Sequence, residues 1–288
     1  MSAKLIILGS AGGPTPKLGR NSTAHALTVD GATTVIDCGS GVTAQLVRAG
    51  ISLASLERIV ITHHHIDHVA DFGLLLHLSW PYLRAPVELI GPPPIARMMQ
   101  QYMELFSEDI RCRMADDKRR HLREFVEVRE ITSAGTILDD RHCSARAALV
   151  DHPPLKNVLA YRFDTPYGSV AFSADTVPTP NLAELARGAD VLVHEAVYLD
   201  DARDALPPAR ADNILERMIR AHSLPEDAGR IAQAAGVSRL VLSPLGAFAP
   251  IDEQRLIDRA ARHFKGDILV GRDLLTIDLC NSATRVST

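Results

Sequence analysis

The chain of 288 residues is short of the features that staple a fold or anchor it in lipid. Its four cysteines, Cys38, Cys112, Cys143 and Cys280, lie far apart and form no Cys-x-x-Cys pair. That spacing excludes a disulfide framework and leaves no thiolate zinc site. No apolar run approaches the roughly 18 residues of a membrane span. The opening MSAKLIILGSAGG has only four consecutive apolar residues, too few for the core of a secretory signal. A cytoplasmic location and no membrane partner are therefore the expectations. An excess of positive charge is missing too: the net charge is −4. Without a global basic field, nucleic acid is expected to be an unlikely partner. No low-complexity linker divides the chain, which reads as one domain over residues 1–288.

What is present is an apolar framework, 46% of the residues, enough to bury a sizeable core. Short runs rich in Val, Ile and Leu recur at 4–9, 33–39, 58–63, 86–91, 145–152, 168–175, 190–196, 239–245 and 267–273, each broken by Gly, Pro or Asp, and these read as strands. Helical patterns fall between them at 40–50, 68–80, 95–110, 181–188, 211–221, 225–235 and 252–264. Ser223 is expected to cap the helix that opens at Pro225, with Glu226 closing a capping box and Gly236 ending it. Interleaved strands and helices without a strict βαβ rhythm indicate a layered α/β domain. His63, His152, Asp175 and Pro244 each sit at or just past the end of an apolar strand, which puts the chemistry at one rim of the sheet.

The stretch 61–71, ITHHHIDHVAD, holds four histidines and two aspartates in eleven residues. Within it His63, His65, Asp67 and His68 form His-x-His-x-Asp-His. Imidazole and carboxylate donors without thiolate suit Zn²⁺, and less selectively Mn²⁺ or Fe²⁺. On a loop, His63 and His65 can grip one ion while Asp67 and His68 face a second. His64 is expected to turn away, and His25 and His77 read as ordinary histidines.

THHHIDH resembles the signature of the metallo-β-lactamase superfamily, and other segments follow that family's order. The resemblance implies that Asp37 in VIDCG braces the metal loops, that His152 in LVDHP is a ligand, and that Asp175 in FSADT bridges two metals. GSAGGPTP, VLVHEA, AHS followed by PEDAG, and ILVGRDLLTIDL are similar to the ribonuclease Z-like branch. The likeness implies a four-layer αββα sandwich with the active site at the edge of the two sheets. One position departs: LVLSPLG has Pro244 where the last histidine ligand of the family is expected. The first site, His63, His65 and His152 with Asp175, stays complete, while the second keeps only Asp67, His68 and the shared Asp175. One tight Zn²⁺ and a weakened second site are expected, and His222 is a candidate to rescue the second or to donate a proton.

The function expected is that of a metal-dependent hydrolase. A metal-activated water would attack a small-molecule ester, lactone or amide, with Asp67 orienting that water and His222 serving the leaving group. The alternatives are a phosphodiesterase acting on RNA ends or cyclic nucleotides, and a metal-binding homologue without catalysis, which Pro244 motivates. His194-Glu195 is expected to brace the site from behind. Met99, Met103, Phe106 and Ile110 lie at helical spacing, so a helical insertion around 95–125 is expected, its apolar stripe available to a homodimer. The basic residues that follow, Arg111 to Arg123, suit a solvated helix or a lid over an anionic substrate, and the segment lacks the glycine-proline-rich arm of tRNA-processing members.

Overall fold

The structure, a computed structural model, describes residues 2–200, 202–280 and, for the backbone alone, 286–287. Two mixed sheets form its centre. The first runs in the order Val286–Ser287, Thr276–Asp278, Ala3–Gly9, Ala24–Val29, Ala32–Ile36, Leu56–Val60, Val87–Gly91 and Val126–Glu130. The second runs Asp267–Val270, Arg239–Ala247, Val191–Tyr198, Gly168–Phe172, Leu155–Thr165, Ser144–His152 and Gly135–Asp139.

Side chains that alternate along a strand face opposite ways, and here both faces are apolar because both are covered. In the first strand Leu5 and Ile7 point between the sheets, where they meet Leu27, Ile36, Tyr161, Phe163, Phe172 and Val193. Ile6 and Leu8 point outward, against Val42, Leu46, Phe72, Leu75 and Met99 of the helices on that side. Across the molecule, Leu192, Leu240 and Leu242 face Leu182, Ile231, Ala232, Leu256 and Ala260 of the other helical layer. Helix, sheet, sheet, helix is the four-layer sandwich expected. The buried phenol of Tyr161 donates to the carbonyl of Ile61 at 2.9 Å, so the inter-sheet core leaves that oxygen satisfied just before the histidine loop.

The topology brings the strand ends together. Ala32–Ile36 and Leu56–Val60 are parallel with Ile36 beside Val60, so Asp37 and Thr62 emerge at one edge. In the second sheet Phe172 pairs with Val193, and Val193 with Val241, all parallel, so Asp175, Glu195 and Pro244 follow at the corresponding edge. Asp37 and Ala174 take φ of 60° and 59°, a left-handed conformation that costs a non-glycine residue about 1–3 kcal/mol. Both turn the chain sharply from strand into site. Gly39 admits no larger residue, because a Cβ there would collide with the carbonyl oxygen of Asp67 and with Ser22.

Local readings differ in places. The stripe at Met99, Met103, Phe106 and Ile110 does not lie on one helix. Ile95–Leu105 ends at Phe106 and Ser107–Asp117 starts a second helix, so Met99 and Ile110 are buried while Phe106 is 39% exposed. The helix Pro225–Ala235 is not capped by Ser223, whose hydroxyl donates to the Thr176 carbonyl at 2.6 Å. Asp227 caps it instead, accepting from the Leu224 amide at 2.9 Å. Gly236 ends it in the left-handed conformation at φ 66°. Among the described residues no helix is long and apolar enough to cross a membrane.

Candidate metal centre

The histidine loop is set by one buried carboxylate. Asp37 accepts from the Thr62 amide and hydroxyl, each at 2.8 Å, and from His68 Nδ1, also at 2.8 Å. Because the Thr62 hydroxyl spends its proton on Asp37, its oxygen is left to accept from His63 Nδ1 at 2.9 Å. His63 thereby carries its proton on Nδ1 and presents a bare Nε2, while His68 is held through Nδ1 with its Nε2 turned toward Asp175. The Nε2 atoms of both rings are buried and, among the described residues, have no hydrogen-bond partner. His152 is fixed in the same way from elsewhere in the chain, its Nδ1 donating to the Ala221 carbonyl at 2.6 Å.

Donor atoms of His63, His65, His152 and Asp175 all lie within 4.8 Å of one another. His152 Nε2 is 3.0 Å from His65 Nδ1 and 3.9 Å from Asp175 Oδ2, and His63 Nε2 is 4.0 Å from that oxygen. A tetrahedral zinc with bonds of about 2.0–2.1 Å sets its donors about 3.3 Å apart, so three nitrogens and one oxygen at these spacings fit such an ion. Burial, then the charge on neighbouring His68, hold His63 well below the usual imidazole range, which keeps it neutral as a ligand must be. Burial opposes the charge of Asp175, yet the surrounding histidines, His68 first, hold its carboxyl well below the ordinary value.

Asp67 and His68 are differently placed. The Gly13 amide donates to Asp67 Oδ2 at 2.8 Å, so the oxygen 3.6 Å from His68 Nε2 is already engaged. His68 Nε2 lies 3.4 Å from Asp175 Oδ1. Burial works against charge on His68, but Asp175 and Asp37 outweigh it and raise its pKa well above normal. Pro244 offers no donor. His25, expected to be ordinary, is 3% exposed and lines a small cavity with His68, Ser243 and Pro244. Its Nε2 is 3.4 Å from the Ser243 hydroxyl, and burial pushes its pKa down to about 3.

The backing residue of the rim is Glu195. It accepts from the Thr176 amide at 2.8 Å and lies 3.1 Å from His222 Nδ1, which is itself 3.8 Å from Asp175 Oδ2. Burial pushes Glu195 up to about 7. Burial also opposes charge on His222, but the Glu195 and Asp175 carboxylates hold it up to about 9. The pair therefore keeps its proton on the imidazole. His194, by contrast, turns its Nδ1 to the Glu195 carbonyl at 2.7 Å. His64 bonds the Pro92 carbonyl at 2.8 Å, away from the donors.

Sequence reading missed a second organising carboxylate. Asp273 accepts from the Ser10 amide and hydroxyl at 3.0 and 2.6 Å, and from the Asn21 amide and side chain at 2.7 Å each. It thereby ties the glycine-rich loop to the far end of the chain. That loop closes against the strand bearing Pro244: Leu245 donates to Ser10, and Gly12 donates to Leu245, both at 2.9 Å.

The sequence pattern of the metallo-beta-lactamase superfamily matches residues 19–221. A protein named Ribonuclease Z from Mycobacterium bovis (strain BCG / Pasteur 1173P2) is 32% identical over 281 residues, covering 96% of this chain and 98% of that protein. Among solved structures, the metallo-beta-lactamase fold protein YhfI from Bacillus subtilis superposes with a TM-score of 0.72 at 18% identity, over 96% of this chain and all of that one (100%). The short form of human tRNase Z gives 0.69 at 20% identity, over 95% and 98%. These relatives overturn the expectation that nucleic acid is an unlikely partner, since near-full-length similarity runs to proteins named as ribonucleases. The physical reason is that net charge averages over the surface, whereas a phosphate is held by the few charges that face it.

Proposed function

Since the chain belongs to the ribonuclease Z-like branch of the metallo-β-lactamase superfamily, a family of metal-dependent hydrolases, we propose that it hydrolyses phosphodiester bonds and that RNA is its substrate class. The observation that carries this reading is the His222–Glu195 pair, in contact at 3.1 Å, with His222 held 3.8 Å from the same Asp175 oxygen that faces His63 and His152. A cationic imidazole at that point suits an anionic phosphoryl group and an alkoxide leaving group.

His63, His65, His152 and Asp175 would hold one divalent ion, and this donor set favours Zn²⁺. When bound, that ion supplies Lewis acidity, making water nucleophilic near neutral pH and drawing charge from the attacked centre. Asp67 has one carboxylate oxygen fixed by Gly13, and its other oxygen would orient the attacking water and take its proton. The water oxygen bonds to phosphorus, the bond from phosphorus to the leaving oxygen breaks with its electron pair on that oxygen, and His222 protonates it. Glu195 keeps His222 charged and aimed, while Asp37 keeps the proton of His68 on Nδ1.

A small ester, lactone or amide would use the same water and differs in offering a trigonal, uncharged centre. The test is a substrate comparison with Zn²⁺-loaded protein: an RNA oligonucleotide and bis(p-nitrophenyl) phosphate against carboxylic esters and lactones. Phosphodiester turnover that disappears in His63→Ala is expected. Turnover of esters or lactones with none of either phosphodiester would overturn the proposal.

A further inference from the structure

The helix Pro208–Ala221 carries its charges in separate strips. At about 100° per residue, Arg210, Asn213, Arg217 and Arg220 share an arc of about 80°, and all four are exposed. That arc borders the face formed by Ala211, Ile214, Leu215, Met218 and Ala221, which turns toward the protein. Asp212 and Glu216 lie outside the arc, and Asp212 is taken up by Arg203 at 2.6 Å. Among the described residues Arg210, Arg217 and Arg220 form no ion pair. The helix dipole favours cations near the C-terminal end, where Arg217 and Arg220 stand. It disfavours Arg210 in the first turn, which holds no acid to offset it. Helix electrostatics alone thus leave the full strip unexplained. The C-terminal end of the strip reaches the metal centre: the Ala221 carbonyl accepts from His152 Nδ1 at 2.6 Å, and His222 follows. On the side facing the protein, Met218 packs on Gly246, where a Cβ would lie 3.9 Å from the end of its side chain. Two residues beyond Gly246, the ring of Phe248 is exposed.

We propose that this strip and Phe248 form a track along which a single strand of RNA reaches the metal centre. The guanidiniums of Arg210, Arg217 and Arg220 hold phosphates, and the Phe248 ring stacks on a base. Arginine presents a planar fork of donors that matches phosphate oxygens. From Arg210 to Arg220 the helix rises about 15 Å, a length that spans several phosphates of one strand. A row of cations beside an aromatic platform suits unpaired nucleotides, because every base has a face to stack. The track rests on the reading of RNA as substrate and narrows it to RNA that is single-stranded where it approaches His222.

The test uses the full chain loaded with Zn²⁺ and a fluorescent oligouridylate of about ten nucleotides. Its phosphorothioate linkages keep their charge while slowing cleavage, and binding is read by anisotropy. In Arg217→Ala/Arg220→Ala, affinity is expected to fall at least about 10-fold. The slope of log affinity against log salt should flatten by about 1.4, two contacts at about 0.7 each. Phe248→Ala is expected to cost about fivefold or more with the salt slope unchanged, since stacking releases no counterions. Arg111→Ala/Arg113→Ala removes the same charge from the helix Ser107–Asp117 and keeps affinity within about threefold, because that helix lies off the track. Equal loss in this control, or none in the Arg217/Arg220 pair, overturns the proposal. A parent that binds no RNA overturns it too, as does one that uses these residues for vesicles of anionic lipid instead. If the parent binds RNA through this strip yet hydrolyses none, the functional reading fails and the track stands. If the parent hydrolyses RNA and the arginine pair binds it unchanged, the function stands and the track is removed.

Discussion

The two sides of the cleft carry similar side chains and treat them differently. On one side, His63, His65, His152 and Asp175 converge, with the tautomers of His63 and His152 fixed by hydrogen bonds from behind. On the other, Asp67 is capped by an amide, His68 leans toward Asp175, and Pro244 contributes nothing. The difference teaches that a ligand motif specifies donors, whereas the supporting hydrogen bonds decide which donors stay free. His63 and His68 belong to one motif, yet burial pushes the pKa of His63 down while the Asp175 and Asp37 carboxylates push that of His68 up.

The strongest way to break this comparison is to remove a donor from the complete side. His152→Ala should release the ion and lower kcat/KM on the order of 1,000-fold or more, since the Lewis acid is worth several kcal/mol. Metal analysis of the same sample would show whether the loss follows the ion. Next comes His222→Ala, expected to cost about 100-fold or more in kcat while the metal is retained, the usual scale for a general acid. Retention of both metal and rate would remove His222 from the chemistry. Asp37→Asn should weaken metal affinity about 10–100-fold, because an amide no longer fixes the ring protons of the histidines; a competition titration with a chelator reads this directly. Pro244→His sharpens the contrast from the other side. It should add a second ion that survives dialysis while changing the first site's affinity little. A Pro244→His protein that still holds one ion would mean that the Gly13 cap on Asp67, and not the missing imidazole, closes the second position. The smallest effect is expected at Tyr161→Phe, which leaves the Ile61 carbonyl without its partner and costs about 1–3 kcal/mol of stability with metal content unchanged.

Much of this was legible in the sequence because strand ends and ligand types are local properties. The run RIVITH announces a buried strand ending in a candidate ligand, and VIDCG announces the aspartate beside it. The four layers follow from strands apolar on both faces. What stayed hidden depends on contacts between distant segments. Lys17 sits in a loop that reads as solvated, and only the closure of Gly12 on Leu245 shows that its ammonium turns inward. Asp273 looks like an ordinary strand-end acid until residues 10 and 21 are seen to converge on it. His25 occupies an inward position of an apolar strand, where a histidine carries no local mark of what it faces. Phe106 breaks a helix that its spacing continues. The expectation about nucleic acid failed for a related reason: a sum over 288 residues says nothing about the few that face a substrate.

The central claim is that this cleft binds one divalent ion tightly and keeps its second position closed to another. Elemental analysis of the purified, Zn²⁺-loaded protein after exhaustive dialysis tests it most directly. One ion per chain, falling to none in His152→Ala, is the predicted result; two ions per chain that persist through dialysis would contradict it.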